Sequence, residues 1–191
     1  GAFEGLRFYH TSKGPAIFKL SEHVDRLLYS TNVLRMELPY NKTDICAAIK
    51  EVTRVNGLPE GYLRPIAFYG YGKMGVNPLG ASKDLAIACW PWGAYLPHAS
   101  VDIKTSHYIR IHPDSTMVDA KLTGHYVNSI LASLDIRGTH YHEVLFLNSE
   151  GQVMEGGGEN FFMVMNGKLV TPELGGILPG ITRSTIMHIA K

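Results

Sequence analysis

Cysteine is scarce here, with only two in 191 residues. Cys46 falls in a helical pattern and Cys89 in an apolar strand pattern, with no paired spacing. A disulfide framework is therefore excluded, and reduced, buried thiols in a cytoplasmic setting are expected. Long apolar runs are also missing: no stretch reaches the about 18 residues of a membrane span, and no secretory-type segment is present. Neither charge is in excess, since 18 Lys and Arg stand against 17 Asp and Glu. Without a basic run or a basic-aromatic interleave, neither nucleic acid nor an anionic membrane is an implied partner. A small anionic ligand stays open. Repeats and low-complexity segments are absent too. What remains is a globular chain whose 45% hydrophobic content can fill the core of one large domain or two small ones.

The chemistry-bearing residues gather in two stretches. After Val118-Asp119-Ala120-Lys121-Leu122-Thr123-Gly124-His125-Tyr126, the apolar positions Val127, Ile130, Leu131 and Leu134 recur at helical spacing. A helix is thus predicted from near Thr123, with Lys121 just before it on irregular backbone. Lys121 is there either a nucleophile or a solvated surface lysine. The second stretch is Met154-Glu155-Gly156-Gly157-Gly158-Glu159-Asn160, between strand-like segments at 143–148 with 152–154 and at 160–165. Glycines in such a place predict a bulge or a close backbone approach to a ligand. No Lys-Ser/Thr follows them, which excludes a nucleotide P-loop.

Around these stretches the pattern is regular. Residues 1–9 alternate apolar and polar, turn at Ser12-Lys13-Gly14-Pro15, and are followed by a short apolar strand at 17–20. Ser21 is the expected N-cap of a helix with the stripe Val24, Leu27, Leu28, Thr31 and Leu34. Arg26 lies off that stripe, so the pattern alone places it in solvent. A second helix at 43–55 closes at Asn56-Gly57. Strands at 62–71 and 85–90 flank an irregular Gly- and Pro-bearing loop at 72–78. These elements predict an α+β domain over 1–91, a linker over 92–101, and a mostly extended region over 102–191 in which Asn166-Gly167 marks a hairpin. Near the end, Leu178-Pro179-Gly180-Ile181 reads as a turn and Thr182 as the cap of a helix carrying Ile186 and Ile189. Its N-terminus is either an ordinary capped end or a place for a phosphate.

Taken together, the motifs resemble the fold-type IV pyridoxal-phosphate enzymes, and within them the branched-chain amino acid aminotransferases. The residues that carry the likeness run in order: Phe3-Glu4-Gly5-Leu6-Arg7, His23-Val24-Asp25-Arg26-Leu27, Tyr62-Leu63-Arg64-Pro65, Gly75-Val76-Asn77-Pro78, Trp92-Gly93-Ala94-Tyr95-Leu96, Ala120-Lys121, Glu155-Gly156-Gly157-Gly158-Glu159-Asn160 and Leu178-Pro179-Gly180-Ile181-Thr182-Arg183. The resemblance implies a small N-terminal α/β domain followed by part of a larger, mostly β, cofactor-binding domain. It further implies transamination between leucine, isoleucine or valine and 2-oxoglutarate on pyridoxal phosphate. In that scheme Lys121 holds the cofactor and moves the proton, while Glu155 pairs with the pyridine nitrogen. Tyr126 meets the ring oxygen, and Arg26, Ile181 and Thr182 hold the phosphate. Phe3, Trp92, Tyr95 and Tyr126 would wall the substrate pocket, and Val76 would enter from a partner subunit of a homodimer. Tyr62 would take the α-carboxylate and Arg64 the distal carboxylate of glutamate.

Related reactions of the same fold, D-amino acid transamination and aminodeoxychorismate lysis, are disfavoured by Tyr62-x-Arg64 with Trp92-Gly93-Ala94-Tyr95. A metal site at His140, His142 and Glu143 is a different reading; it lacks an evident further ligand. A cofactor-free binding module is a third. Members of the resembled family carry a further strand before Phe-Glu-Gly and a later Ser-Gly-Thr turn, neither of which occurs here. The 191 residues are therefore expected to form a partial site and to leave apolar surface uncovered.

Overall fold

The computed structural model describes residues 1–191 other than Tyr95 and Pro97. The predicted substrate contact Tyr95 thus lies outside the described residues. The chain divides into two compact units, Gly1–Gly93 with Ala120–Thr123, and Ala94–Asp119 with Gly124–Lys191.

The first unit is a five-stranded antiparallel sheet with two helices. Strand β4 (Gly61–Tyr69) is its centre, and β5 (Lys83–Trp90) pairs along the whole of one edge. The other edge is shared by two short strands, β1 (Ala2–Phe3) and β2 (Leu6–Tyr9), with β3 (Ala16–Ile17) beyond β2. Proline is rarely tolerated inside a sheet, yet Pro65 sits mid-strand in β4. It stands where β1 gives way to β2, and there its carbonyl accepts from Glu4 N at 2.9 Å. Alternation sorts the faces: Leu63 and Ala67 of β4 and Leu6 and Phe8 of β2 are buried, whereas Tyr62 and Arg64 point the other way. Against the buried face pack α1 (Leu20–Val33) and α2 (Lys42–Asn56), through Val24, Leu27, Ile45 and Ile49. Each such side chain contributes about 1.5–3 kcal/mol when fully buried.

Helix ends differ in part from the expectation. Ser21 is not the cap of α1; the cap lies two residues earlier, at Lys19, which turns the chain with φ 52 while Ser21 stays exposed. Helix α2 ends as expected on left-handed Gly57, φ 64. Its start carries a capping box that the pattern did not announce: Asp44 N donates to Asn41 at 3.1 Å and Asn41 N to the Asp44 carboxylate at 3.0 Å. The stretch Ala120–Thr123 belongs to this unit because Leu122 bridges Ala2, and Ala120 and Leu122 enter the core.

In the second unit β6 (Ile103–Thr105) lies parallel to β7 (Glu143–Leu147), as a crossover through α3 (Val127–Asp135) requires, and β8 (Val153–Gly156) returns antiparallel. Ala132 and Ile136 meet Val144 and Phe146 in a small core. The helix therefore buries a different face from its periodic stripe: Val127 is 53%, Ile130 59% and Leu134 56% exposed. Strands β9 (Met163–Met165) and β10 (Lys168–Val170) form the predicted hairpin, with positive φ at both Asn166 and Gly167. The last helix, α4 (Ile181–Ile189), is capped by Gly180 rather than Thr182, which is its second residue. Among the described residues no helix is long and apolar enough to cross a membrane. Cys46 and Cys89 are free and half-buried.

Candidate active site

In the first unit, Lys121 is held by its main chain. Its N–H donates to Ser30 Oγ at 2.9 Å and its carbonyl accepts from Phe3 N at 3.1 Å, while Nζ lies 4.9 Å from the centre of the Phe3 ring. Irregular backbone at this point leaves the peptide groups to be satisfied by α1 and β1, which fixes where the side chain starts.

Arg26 is not the solvated residue its helix pattern suggests. Its side chain is 12% exposed, and its guanidinium grips Glu4 from two sides, Nε to Oε1 at 2.6 Å and Nη2 to Oε2 at 2.9 Å. His23 Nδ1 stands 2.7 Å from the same Oε2. Burial alone would push the Glu4 carboxyl up, but the hydrogen bonds from His23 and Arg26 outweigh it and hold the group below the usual carboxylate range. His23, Arg26 and Ser30 are spaced i, i+3, i+7, a polar row along α1 beside the apolar stripe. Glu4, His23 and Ser30 were not picked out by sequence; Glu4 and His23 lay inside quoted motifs as titratable residues without an assigned role.

The sheet face away from the helices carries aromatics and Arg64. Tyr62 lies 5.1 Å from Trp90 and 4.4 Å from Trp92 between ring centres. Arg64 spreads over the Phe3 ring at 4.7 Å and donates from Nη2 to the Tyr62 hydroxyl at 2.8 Å. Its Nε is buried without a hydrogen-bond partner among the described residues. Arg7 fixes the segment that follows β5, donating to the carbonyls of Trp92 at 2.7 Å and Gly93 at 3.0 Å. Phe3, Tyr62, Arg64 and Trp92 are thus brought together, with Trp90 as an unforeseen member. Val76 is apart from them, fully exposed in the loop between β4 and β5.

In the second unit, Glu155 is buried on β8 and held from several directions. Arg110 Nε binds Oε1, while Oε2 accepts from Asn160 Nδ2 at 3.1 Å and Leu178 N at 3.2 Å. Asn160 also donates to the Leu178 carbonyl at 2.9 Å. A Cβ at Gly180 would fall 1.9 Å from Asn160 Oδ1, so the absence of a side chain there lets the start of α4 close onto Asn160. Ile181 and Thr182 begin that helix, and their N–H groups are among those left open by its geometry. Arg110 gave no sequence signal beyond a charge between Ile109 and Ile111. Tyr126 closes the 3-10 turn before α3 and is half-buried.

The glycine run is not a bulge in the sheet; the irregularity of that pair lies at Phe146/Leu147. Instead the chain turns tightly, with Gly156 N donating to Glu159 O at 2.8 Å and Gly158 N to its carboxyl at 2.6 Å. What approaches the glycines is carboxyl: a Cβ at Gly156 would lie 3.1 Å from the Glu159 side chain, and one at Gly157 2.8 Å from Glu143 Oε1. Burial, with the hydrogen bond and charge of Glu143, pushes the Glu159 carboxyl up to about 8. The metal reading finds no support in geometry. His142 Nδ1 accepts from Asp102 N at 3.3 Å, Glu143 accepts from Val144 N at 2.7 Å, and no metal-ligating cluster of three occurs among the described residues.

Residues 1–191 match the family described as amino-transferase class IV. A branched-chain-amino-acid aminotransferase of Pseudomonas aeruginosa is 40% identical over 194 residues, covering 100% of this chain and 63% of the relative. A solved branched-chain amino acid aminotransferase of Escherichia coli superposes with TM-score 0.95 at 38% identity, covering 99% of this chain and 64% of that one. A solved branched-chain aminotransferase of Thermoproteus uzoniensis, with norvaline, gives TM-score 0.94 at 39% identity over 99% of this chain and 64% of its own. The chain thus spans about 63% of the length of the curated relatives it matches.

Proposed function

We propose, from the premise that this chain belongs to the class IV aminotransferase family, that it serves amino-group transfer between branched-chain L-amino acids and 2-oxoglutarate, with pyridoxal phosphate held through Lys121. The observation that carries the reading is Arg64. Its buried Nε lacks a partner among the described residues, on a face otherwise built from Phe3, Tyr62, Trp90 and Trp92. A buried donor without an acceptor costs free energy until one arrives. The distal carboxylate of glutamate or 2-oxoglutarate supplies that acceptor, and the surrounding rings suit the side chains of leucine, isoleucine and valine. The Thermoproteus uzoniensis relative was solved with norvaline, an unbranched apolar amino acid, which supports an apolar substrate for this chain as well.

Each unit carries donors of the kind the cofactor takes: in the first a primary amine at Lys121 and a cation at Arg26, in the second a buried carboxylate at Glu155 and the N–H groups that open α4. Bound pyridoxal phosphate supplies the electron sink for breaking a bond at the substrate's α-carbon. Lys121 Nζ would take the proton from the substrate's α-carbon and carry it onward as the amino group is transferred. Glu155, held by Arg110 and Asn160, pairs as a carboxylate with the protonated ring nitrogen, and Tyr126 donates its hydroxyl to the ring oxygen. Arg26 with the N–H groups of Ile181 and Thr182 holds the phosphate by charge-assisted hydrogen bonds. Tyr62 meets the α-carboxylate. We assign the exposed Val76 to the pocket of a second copy, which makes a homodimer the proposed assembly. The unpaired Cys46 and Cys89 fit a cytoplasmic enzyme.

The test is made on the full-length protein with added pyridoxal phosphate. Leucine and 2-oxoglutarate should yield glutamate, and borohydride should abolish the cofactor absorbance band and leave the cofactor attached to Lys121 by peptide mass. Absence of both glutamate and a borohydride-sensitive band overturns the reading. Turnover of D-alanine in place of leucine would move the assignment to D-amino acid transamination.

A further inference from the structure

We infer that Glu4 is the positioning residue of the phosphate-binding arginine, acting with His23 to set the Arg26 guanidinium in place before any phosphate arrives. The inference rests on the proposed role of Arg26 and gives Glu4 and His23 a part in binding that the proposed function leaves unassigned.

Glu4 is 0% exposed, and each of its carboxylate oxygens is engaged by Arg26. The two parallel contacts, 2.6 and 2.9 Å, form the fork-to-fork arrangement that fixes a planar guanidinium in both tilt and rotation. An arginine free on a helix would lose much side-chain freedom on gripping a phosphate. Here that ordering is supplied by the fold. His23 approaches Oε2 at 2.7 Å from one turn earlier on α1, so the carboxylate is itself held against rotation. Gly5 N adds a contact at 3.3 Å.

Stability alone is a poor account of this cluster. A buried ion pair is often no better for folding than well-packed apolar residues of the same volume, because both charges must be stripped of water. The place of Glu4 in the chain supplies the better account. Its neighbour Phe3 donates to the carbonyl of Lys121 at 3.1 Å, and Ser30, one turn along α1 from Arg26, accepts from Lys121 N at 2.9 Å. The dipeptide Phe3-Glu4 and the helix face Arg26-Ser30 therefore fix the lysine and the arginine by the same two elements. A shift of either element moves both groups together.

The experiment compares pyridoxal phosphate with pyridoxal, which has the same aldehyde and ring but no phosphate. Full-length apo-protein is titrated with each and followed by absorbance, for the parent and for Glu4→Gln. The amide keeps one acceptor and places an NH2 against a guanidinium donor or His23, so the fork is broken at nearly constant volume. The affinity for pyridoxal phosphate should fall at least about tenfold, as for a lost charge-assisted hydrogen bond, while that for pyridoxal stays within about twofold of the parent. An equal loss for both ligands, or no loss for either, overturns the inference. Should Glu4→Gln fail to fold, His23→Ala decides by the same ratio, with a smaller selective loss expected and His23→Asn restoring it. Arg26→Ala separates the two ideas: if the parent's preference for the phosphorylated ligand survives that change, the proposed role of Arg26 fails and the inference falls with it, whereas loss of the preference in Arg26→Ala but not in Glu4→Gln overturns the inference alone.

Discussion

The hydroxyl of Tyr62 stands 1.9 Å from the position that a Cβ on Gly5 would occupy. Gly5 lies between β1 and β2, and the missing side chain is what allows the phenol to lie across the strand and accept from Arg64 at 2.8 Å. Gly5→Ala should therefore displace the Tyr62 ring. We expect a loss of about 1–3 kcal/mol in stability, typical of overpacking, with a raised Michaelis constant for leucine. Thermal melting of Gly5→Ala with and without Tyr62→Ala is the check, since the double variant should recover the stability lost by the single one.

Lys121→Ala should abolish turnover of leucine in the full-length enzyme and leave the fold intact. Two hydrogen bonds of its main chain, at 2.9 Å to Ser30 and 3.1 Å from Phe3, survive the change. Circular dichroism with a coupled glutamate assay reads both halves; retained transamination would show that another group moves the proton.

Arg64→Ala should raise the Michaelis constants for glutamate and 2-oxoglutarate by about tenfold to a hundredfold, as for a hydrogen bond to a charged group worth about 1.5–3 kcal/mol. Leucine has no second carboxylate and should be affected far less. Equal losses for both substrate classes would make Arg64 a support for Tyr62 and Phe3 alone.

Glu159 gives a pH prediction. Its carboxyl is pushed up to about 8, chiefly by burial and then by Glu143. The folded chain therefore holds a proton that the unfolded chain has already lost at its ordinary carboxyl value. Between about pH 4.5 and 8 the native state binds more protons, so this group's contribution to stability falls as pH rises through that window and levels off above it. Denaturant midpoints measured across pH 5 to 9 should slope downward more steeply in the parent than in Glu159→Gln, whose amide cannot ionise. Parallel slopes would mean that the Glu159 carboxyl is not held protonated by its surroundings.

Much of the fold was legible in the sequence because local physics decides it. The Asn166-Gly167 hairpin follows from two residues that accept positive φ, and the end of α2 follows from Gly57 in the same way. The ordered motifs also pointed to the family whose description matches residues 1–191. The caps of α1 and α4 were less legible, since Ser21 and Thr182 have the right chemistry and the chain turned two residues earlier in each case.

What the sequence determined by itself was the order of helices and strands and the alternation that sets Leu63 and Tyr62 on opposite faces of β4. These depend on neighbours three, four or two positions away. Only the tertiary structure decided which charges are buried. Arg26 lies off its helix's apolar stripe and is enclosed because Glu4, 22 residues earlier in the chain, meets it. Arg110 is fixed by Glu155, 45 residues on, and the inward face of α3 is chosen by Val144 and Phe146 rather than by its own periodicity. A buried ion needs a partner at hydrogen-bond distance, and that partner's place is a property of the folded chain.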